Sequence, residues 1–413
     1  MIRTATRFIA TTAAAGVVAT TLGATLSTTA HADGLDLAAS QASVSEMRAS
    51  VADQLAGRVF GWQLSISQNG TLKAADEGGF AVSAADNNGV PVPMQASMRM
   101  ELASVTKNVT AVATMKLLRR NNLTPESYVW PYLPKSWDVS DFKNVRFRHL
   151  LTHTSGINQA ITAMANPPGD NGWNSMKTVV ENGTTVDSQR QYKNANFAIL
   201  RIVDAELWNR SGGKKYSDAA EEIPITAANH TSYVLEFMRE HIFKPAAIGG
   251  VGCIAPGTTT GVRSYAAGAT QASNGSVFGT GNEECAGARG LAMSSAQLVQ
   301  YLSKLRSGAI ISQADLDWMD EFRAGWNEDS NGGDGGQNGV QDGIADNPLS
   351  PGAYWHGGDL FGGSNRELHT CAMTMDDGTQ ATLLVNSPIA ADNDPATAGT
   401  QCGVLITAWN NAK

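Results

Sequence analysis

The chain has 413 residues and a formal net charge of -8, from 30 Lys and Arg against 38 Asp and Glu. With no basic cluster, that balance argues against a nucleic-acid or anionic-membrane partner. Charged residues make up 16% of the chain and glycine contributes 42 positions, a composition suited to a rigid secreted protein of one large domain or two lobes.

In chain order, Arg3 and Arg7 precede an apolar run rich in Ala, Val and Thr from Phe8 to Leu26, and Ala30-His31-Ala32 forms a small-x-small site. Residues 1–32 therefore read as a secretory signal peptide, and the mature protein is expected outside the cell with no membrane anchor. No later stretch is apolar for long enough to span a bilayer as a helix. The rest of the chain, 33–413, is expected to form one domain of two lobes. Its sheet-bearing lobe is expected from about 33–105 and 290–413, and a helical lobe from about 106–289.

Residues 33–56 carry a helical pattern. Gly61 to Ser67 alternates with period two, Asn69-Gly70 signals a hairpin turn, and Thr71 to Val82 supplies the returning strand. Asp86 to Gly89 is a loop. Next comes Met100-Glu101-Leu102-Ala103-Ser104-Val105-Thr106-Lys107, followed by an amphipathic run with Val112, Met115 and Leu118 at helical spacing. Ser104 and Lys107, three apart, are expected on one face of a first helical turn. Asn196 to Leu207, Tyr233 to Phe243 and a segment from Ser295 to Arg306 read as further helices. Asp329 to Asp346 is nearly all Gly, Asn, Asp, Gln and Ser and reads as a surface loop. A calcium loop on Asp329, Asn331, Asp334, Asp342 and Asp346 is the alternative, although the strict pattern fails at Gly333, where a ligand is needed. The end returns to strands: Ala353 to Gly358, Leu368 to Met375 and Gln380 to Asn386, the last two flanking Asp376-Asp377-Gly378. A helix at about Thr397 to Trp409 closes the chain.

Four cysteines occur: Cys253, Cys285, Cys371 and Cys402. In an exported chain an even number suggests disulfides, and of three possible pairings Cys253–Cys285 and Cys371–Cys402 each close a local loop. No C-x-x-C is present, so metal is not expected. His369 and Cys371, two apart on one strand, suit strand and disulfide roles better than a ligand pair. The absence of G-x-S-x-G argues against an α/β-hydrolase, and the absence of H-E-x-x-H against a zinc peptidase.

Three separated segments carry the chemistry: Ser104-Val105-Thr106-Lys107, Tyr192-Lys193-Asn194 and His356-Gly357-Gly358. Their order and spacing resemble the serine hydrolases related to class C β-lactamases and DD-peptidases. Arg148-His149-Leu150-Leu151-Thr152-His153-Thr154-Ser155-Gly156 strengthens the resemblance, which covers most of the chain. It implies an α+β fold, an antiparallel sheet flanked by helices beside an all-helical lobe. By the same resemblance Ser104 attacks a carbonyl, either Lys107 or Tyr192 is the formal base that takes its proton, and Tyr192 passes a proton to the leaving group. Asn194 binds the substrate amide and helps hold Lys107. His356, Gly357 and Gly358 line an inward strand, and the backbone N–H groups of Ser104 and Asp359 form an oxyanion hole.

One departure stands out. Relatives with Lys-Thr-Gly at the third motif use the lysine and the threonine hydroxyl to recognise a substrate carboxylate. Here Gly357 has no hydroxyl, and His356 is expected to titrate near neutral pH. Arg366 is a candidate source of the missing charge. The expected activity is a serine peptidase or amidase on D-residue peptides, with D-Ala-D-Ala carboxypeptidase as the family example. Esterase or weak β-lactamase action in the same site, and a silent binding module, are the alternatives. The expected partner is a small peptide, amide or ester substrate, with no cofactor. His149 and His153 are expected to be structural, and Ser155 a turn residue.

Overall fold

The computed structural model describes residues 41–164, 170–186, 189–211, 224–254, 261–279, 284–327, 353–389 and 400–413. The signal-peptide reading and the 329–346 loop reading lie outside them. The chain runs α1 (Val44–Leu55), β1 (Gly61–Gln68), β2 (Thr71–Val82), β3 (Val92–Pro93), β4 (Met100–Glu101) and α2 (Thr106–Arg120). Then come α3 (Phe147–Leu151), α4 (Gln159–Ala163), α5 (Trp173–Glu181), α6 (Asn194–Arg210), α7 (His230–Met238), β5 (Gly252–Cys253) and β6 (Leu291–Met293). The order ends with α8 (Ser295–Arg306), α9 (Gln313–Glu321), β7 (Tyr354–Gly362), β8 (Arg366–Thr374), β9 (Thr379–Val385) and α10 (Gln401–Asn411).

A six-stranded antiparallel sheet takes the order β3-β2-β1-β9-β8-β7, so both ends of the chain build it, and β4-β6-β5 form a small second sheet. The β1–β2 hairpin turns through Asn69 at φ 50° and Gly70 at φ 77°, as two-residue hairpins require. On one face Leu64 and Ile66 of β1 join Cys371, Leu383 and Val385 in a core closed by Met47 and Val51 of α1 and Leu405 and Trp409 of α10. The polar half of β1 is buried as well, against α8. Ser65 meets Ser295 at 2.9 Å, Ser67 meets Ser303 at 2.6 Å, and Gln63 Oε1 accepts from Ser295 N at 2.9 Å. The sheet is thus a middle layer, and β9 is buried at every residue. Segment 261–279, expected within the helical lobe, instead reaches the sheet: Tyr265 N donates to Asn386 O at 2.8 Å and Tyr265 bridges to Glu367. Helix α9 was not legible in the sequence reading.

Both local disulfides form, with Cα–Cα distances of 6.1 Å for Cys253–Cys285 and 5.3 Å for Cys371–Cys402. In the chain-entropy picture each adds roughly 3–4 kcal/mol. The second ties β8 to α10 directly behind the third motif.

Helices α2 and α6 are buried on nearly every side and form the middle of the second core. Between them Asp204 is fully buried, with Thr114 Oγ1 at 2.8 Å from its Oδ2. Burial pushes this carboxyl well above the usual carboxylate range, which favours the neutral acid in the folded state. A raised folded-state pKa means the native state binds the extra proton. Stability is then greatest below the ordinary carboxylate pKa and declines as pH climbs toward the folded-state value. Asp204→Asn is expected to be more stable than the parent at pH 7, on the order of 1 kcal/mol. That advantage should vanish by about pH 4, as read from thermal melts at the two pH values.

Candidate active site

Ser104 sits in a tight 3₁₀ turn, Ala103–Val105, that feeds α2. Ala103 takes φ 48°, a left-handed value uncommon for a residue with a Cβ, and this turns the chain sharply out of β4. The turn is held on both sides. Leu102 N donates to Leu291 O at 2.8 Å, and Leu291 N donates to Thr106 Oγ1 at 3.3 Å. The serine therefore lies just before the helix, a small shift from the expected first helical turn.

Lys107 is buried at the base of α2, and its Nζ donates to Ser104 Oγ at 2.9 Å and to Ala288 O at 2.9 Å. Burial first, and the Arg289 charge second, hold its pKa well below that of an ordinary lysine. A neutral amine beside a hydroxyl is a base in reach of a proton. The carbonyl of Ala288, close to the Cys253–Cys285 bridge, fills the supporting role expected of Asn194. Asn194 itself opens α6 and is exposed, so the expectation that it holds Lys107 is corrected.

Tyr192 reaches the same place from the opposite side. Lys107 Nζ lies 4.8 Å from its ring centroid, and the His356 ring is 6.4 Å away. A polar network supports this segment. Ser155 Oγ donates to Asn196 Oδ1 at 2.6 Å, and Asn196 Nδ2 contacts His153 Nδ1 at 3.1 Å. Lys193 N donates to the same ring nitrogen at 3.3 Å, so His153 Nδ1 is the unprotonated one. The His153 ring packs at a tilt of 33° against Tyr192, centroids 4.6 Å apart, and burial, then the Arg190 charge, holds its pKa well below the ordinary histidine value. The structural reading of His153 fits this geometry. Asn196 was missed; its one signal was a second amide two residues after Asn194.

The third motif lies on β7, the edge strand of the large sheet. Gly358 faces the serine: a Cβ there would lie 2.8 Å from Ser104 N and 2.7 Å from Leu102 O. Gly357 faces the opposite way, toward Gln401 and Cys402 of α10. His356 is buried, and its Nδ1 lies 2.6 Å from Gly357 O. A carbonyl only accepts, so Nδ1 carries the proton and Nε2 is bare in the neutral ring. Burial, then the Lys107 charge, lowers the His356 pKa to about 3. This corrects the expectation of a histidine titrating near neutral pH, because solvent exclusion decides against the cation. Arg366 donates to Asn274 O at 2.9 Å and is half-buried at the start of β8. The Asp359 carboxylate points to the α10 face, where His369 Nδ1 meets it at 2.6 Å.

Among the described residues no group of three or more His, Cys, Asp or Glu is placed to hold a metal ion, and no helix is long and apolar enough to cross a membrane.

The beta-lactamase family profile matches residues 47–398. No curated protein matches the chain. Among solved structures it is similar to an octameric penicillin-binding protein homologue from Pyrococcus abyssi, at 16% identity and TM-score 0.58, covering 88% of this chain and 76% of that one. A D-stereospecific amidohydrolase from Streptomyces sp. superposes at 18% identity and TM-score 0.56, covering 88% and 98%. D-amino acid amidase from Ochrobactrum anthropi does so at 18% identity and TM-score 0.53, covering 89% and 98%. At these identities the structural likeness shows the fold, and the profile match over most of the length shows the descent: the chain belongs to the beta-lactamase family of serine hydrolases.

Proposed function

We propose that this protein is a secreted serine amidase or peptidase that forms an acyl-enzyme at Ser104, acting on amides of D-residues. The carrying observation is the buried Lys107 amine 2.9 Å from Ser104 Oγ. The two disulfides support an oxidising compartment. Neutral Lys107 removes the Ser104 proton as Oγ bonds to the carbonyl carbon. The backbone N–H groups of Ser104 and Asp359 receive the developing oxyanion. Tyr192, beside Lys107, relays a proton to the departing amine. Water then repeats the sequence on the acyl-enzyme and frees the acid. Exposed Asn194 stands at the start of α6, where a substrate amide can reach it.

The uncharged His356 and the missing hydroxyl at Gly357 favour substrates whose leaving group carries no free carboxylate. D-aminoacyl amides are expected to exceed D-Ala-D-Ala peptides in kcat/KM, with esters turned over in the same site. Labelled penicillin and a fluorophosphonate, followed by mass spectrometry of the adduct, test the nucleophile. Label is expected on Ser104 and absent from Ser104→Ala. Label elsewhere, or no adduct together with no turnover of D-aminoacyl amides, D-Ala-D-Ala peptides or short esters, would leave only a silent binding module.

A further inference from the structure

Behind the edge strand β7 lies a buried charge cluster that the catalytic scheme does not use. His369 on β8 is 8% exposed. Its Nδ1 lies 2.6 Å from Asp359 Oδ1 and its Nε2 lies 3.0 Å from Glu367 Oε2. Ionised carboxylates only accept, so both contacts are satisfied together only when both ring nitrogens carry protons. The same site is tied to α10. Gln401 Nε2 donates to Asp359 Oδ1 at 3.2 Å and to Thr370 O at 3.0 Å, with Gly358 O at 3.4 Å. Thr370 Oγ1 in turn donates to Leu102 O at 2.7 Å, two residues before the serine. Asp359 is thus gripped by its side chain from one face while the neighbouring Gly358 abuts the Ser104 backbone from the other.

We propose that Asp359, His369 and Glu367 form an imidazolium clamp that fixes the Gly358–Asp359 peptide against Ser104, making His369 and Glu367 positioning residues for the oxyanion site. This rests on the reading of Ser104 as nucleophile and Asp359 N–H as oxyanion donor. An edge strand has a neighbour on one side only, so nothing in the sheet itself holds its outer edge in place. A small displacement of an oxyanion donor costs heavily, because such donors act through preorganised geometry. The clamp supplies the missing constraint from behind.

The charged groups acting on His369 are Asp359 from β7 and Glu367 from β8; α10 presents Gln401, and β9 presents Val385 opposite. Burial alone lowers the His369 pKa, but the two carboxylates more than reverse this and raise it to about 9. A raised folded-state pKa means the clamp's stabilisation is complete below the ordinary histidine pKa and is lost as pH rises through about 9. Losing the proton leaves two carboxylates facing one ring with a single N–H to share.

The test uses the whole protein, with fluorophosphonate labelling of Ser104 followed from pH 6 to 10.5 and nitrogen-15 NMR of the histidine rings at pH 8. The wild type should show a doubly protonated ring at pH 8 that is absent from His369→Gln, and a labelling rate that drops above about pH 9. His369→Gln should label about tenfold more slowly at pH 7 and lack the alkaline drop. Glu367→Gln, which keeps the ring, should move the drop down by about one pH unit. A folded His369→Gln that labels within twofold of wild type and keeps the alkaline drop overturns the clamp. Should that variant not fold, an unshifted drop in Glu367→Gln overturns it instead. A wild type that never labels at Ser104 defeats the nucleophile reading, and the clamp with it, whatever the NMR shows.

Discussion

Lys107→Met is expected to abolish turnover, with kcat/KM lower by roughly 10⁴-fold, while the protein becomes more stable. The two effects share one cause. The amine is buried against Ser104 and Ala288, where solvent exclusion and the Arg289 charge both disfavour its ammonium form. That favours the neutral amine, which can accept a proton, whereas an exposed lysine would stay protonated. It also means the unfolded chain binds a proton that the folded chain releases. The folded-state pKa lies below the unfolded one, so stability rises with pH between those two values. A methionine fills similar volume without this penalty. Its melting temperature should exceed that of wild type by more at pH 6 than at pH 10. For the active enzyme, kcat/KM should climb with pH through the depressed Lys107 pKa. A Lys107→Met protein that hydrolyses amides at more than about 1% of the wild-type rate would exclude Lys107 as the base.

The second large effect separates two adjacent glycines. Gly358→Ala is expected to lower kcat/KM by about 10²–10³-fold, and Gly357→Ala by less than about threefold. On Gly358 a Cβ meets Thr370 Oγ1 at 2.6 Å, Leu102 O at 2.7 Å and Ser104 N at 2.8 Å. Two of those atoms are backbone, so either β7 or the turn bearing the serine has to move. On Gly357 the nearest atoms are Gln401 Nε2 at 3.4 Å and Cys402 Sγ at 3.6 Å, close to ordinary contact. Neither glycine takes a left-handed φ. The difference is therefore one of approach to Ser104, not of backbone freedom. Far-ultraviolet dichroism and steady-state kinetics on both variants check this. Equal losses at the two positions would remove Gly358 from the serine's surroundings.

How much of this was legible beforehand depends on distance along the chain. The Ser104–Lys107 pair was readable because a turn brings i and i+3 together. The β1–β2 hairpin was readable because Asn69-Gly70 suits a two-residue turn, and the disulfides because each closes a loop of about thirty residues, with separations of 32 and 31. The network of Ser155, His153 and Asn196 was not, since no pattern links residues some forty positions apart. His369 was weighed as a strand residue beside Cys371. Its two carboxylate partners came into view only once β7 and β8 were paired in register, with Asp359 opposite His369.

His356 shows most plainly where sequence reasoning ended. Residue type alone places a histidine near neutrality, and the third motif was therefore expected to switch charge with pH. Burial beside Lys107 removes that charge at every pH where the enzyme is expected to work, with the pKa at about 3. Asn194 tells the same story in reverse: the motif pairs it with Lys107, but the chain delivers Ala288 O to that amine and leaves Asn194 in solvent. The order of the motifs and the pairing of Ser104 with the Lys107 amine were decided by local sequence, because turns and strand periods act over a few residues. The direction of each pKa shift, the second hydrogen-bond partner of Lys107 and the two carboxylate contacts of His369 were decided by tertiary structure. Desolvation and carboxylate pairing depend on which distant segments close over a group, and no local pattern encodes that.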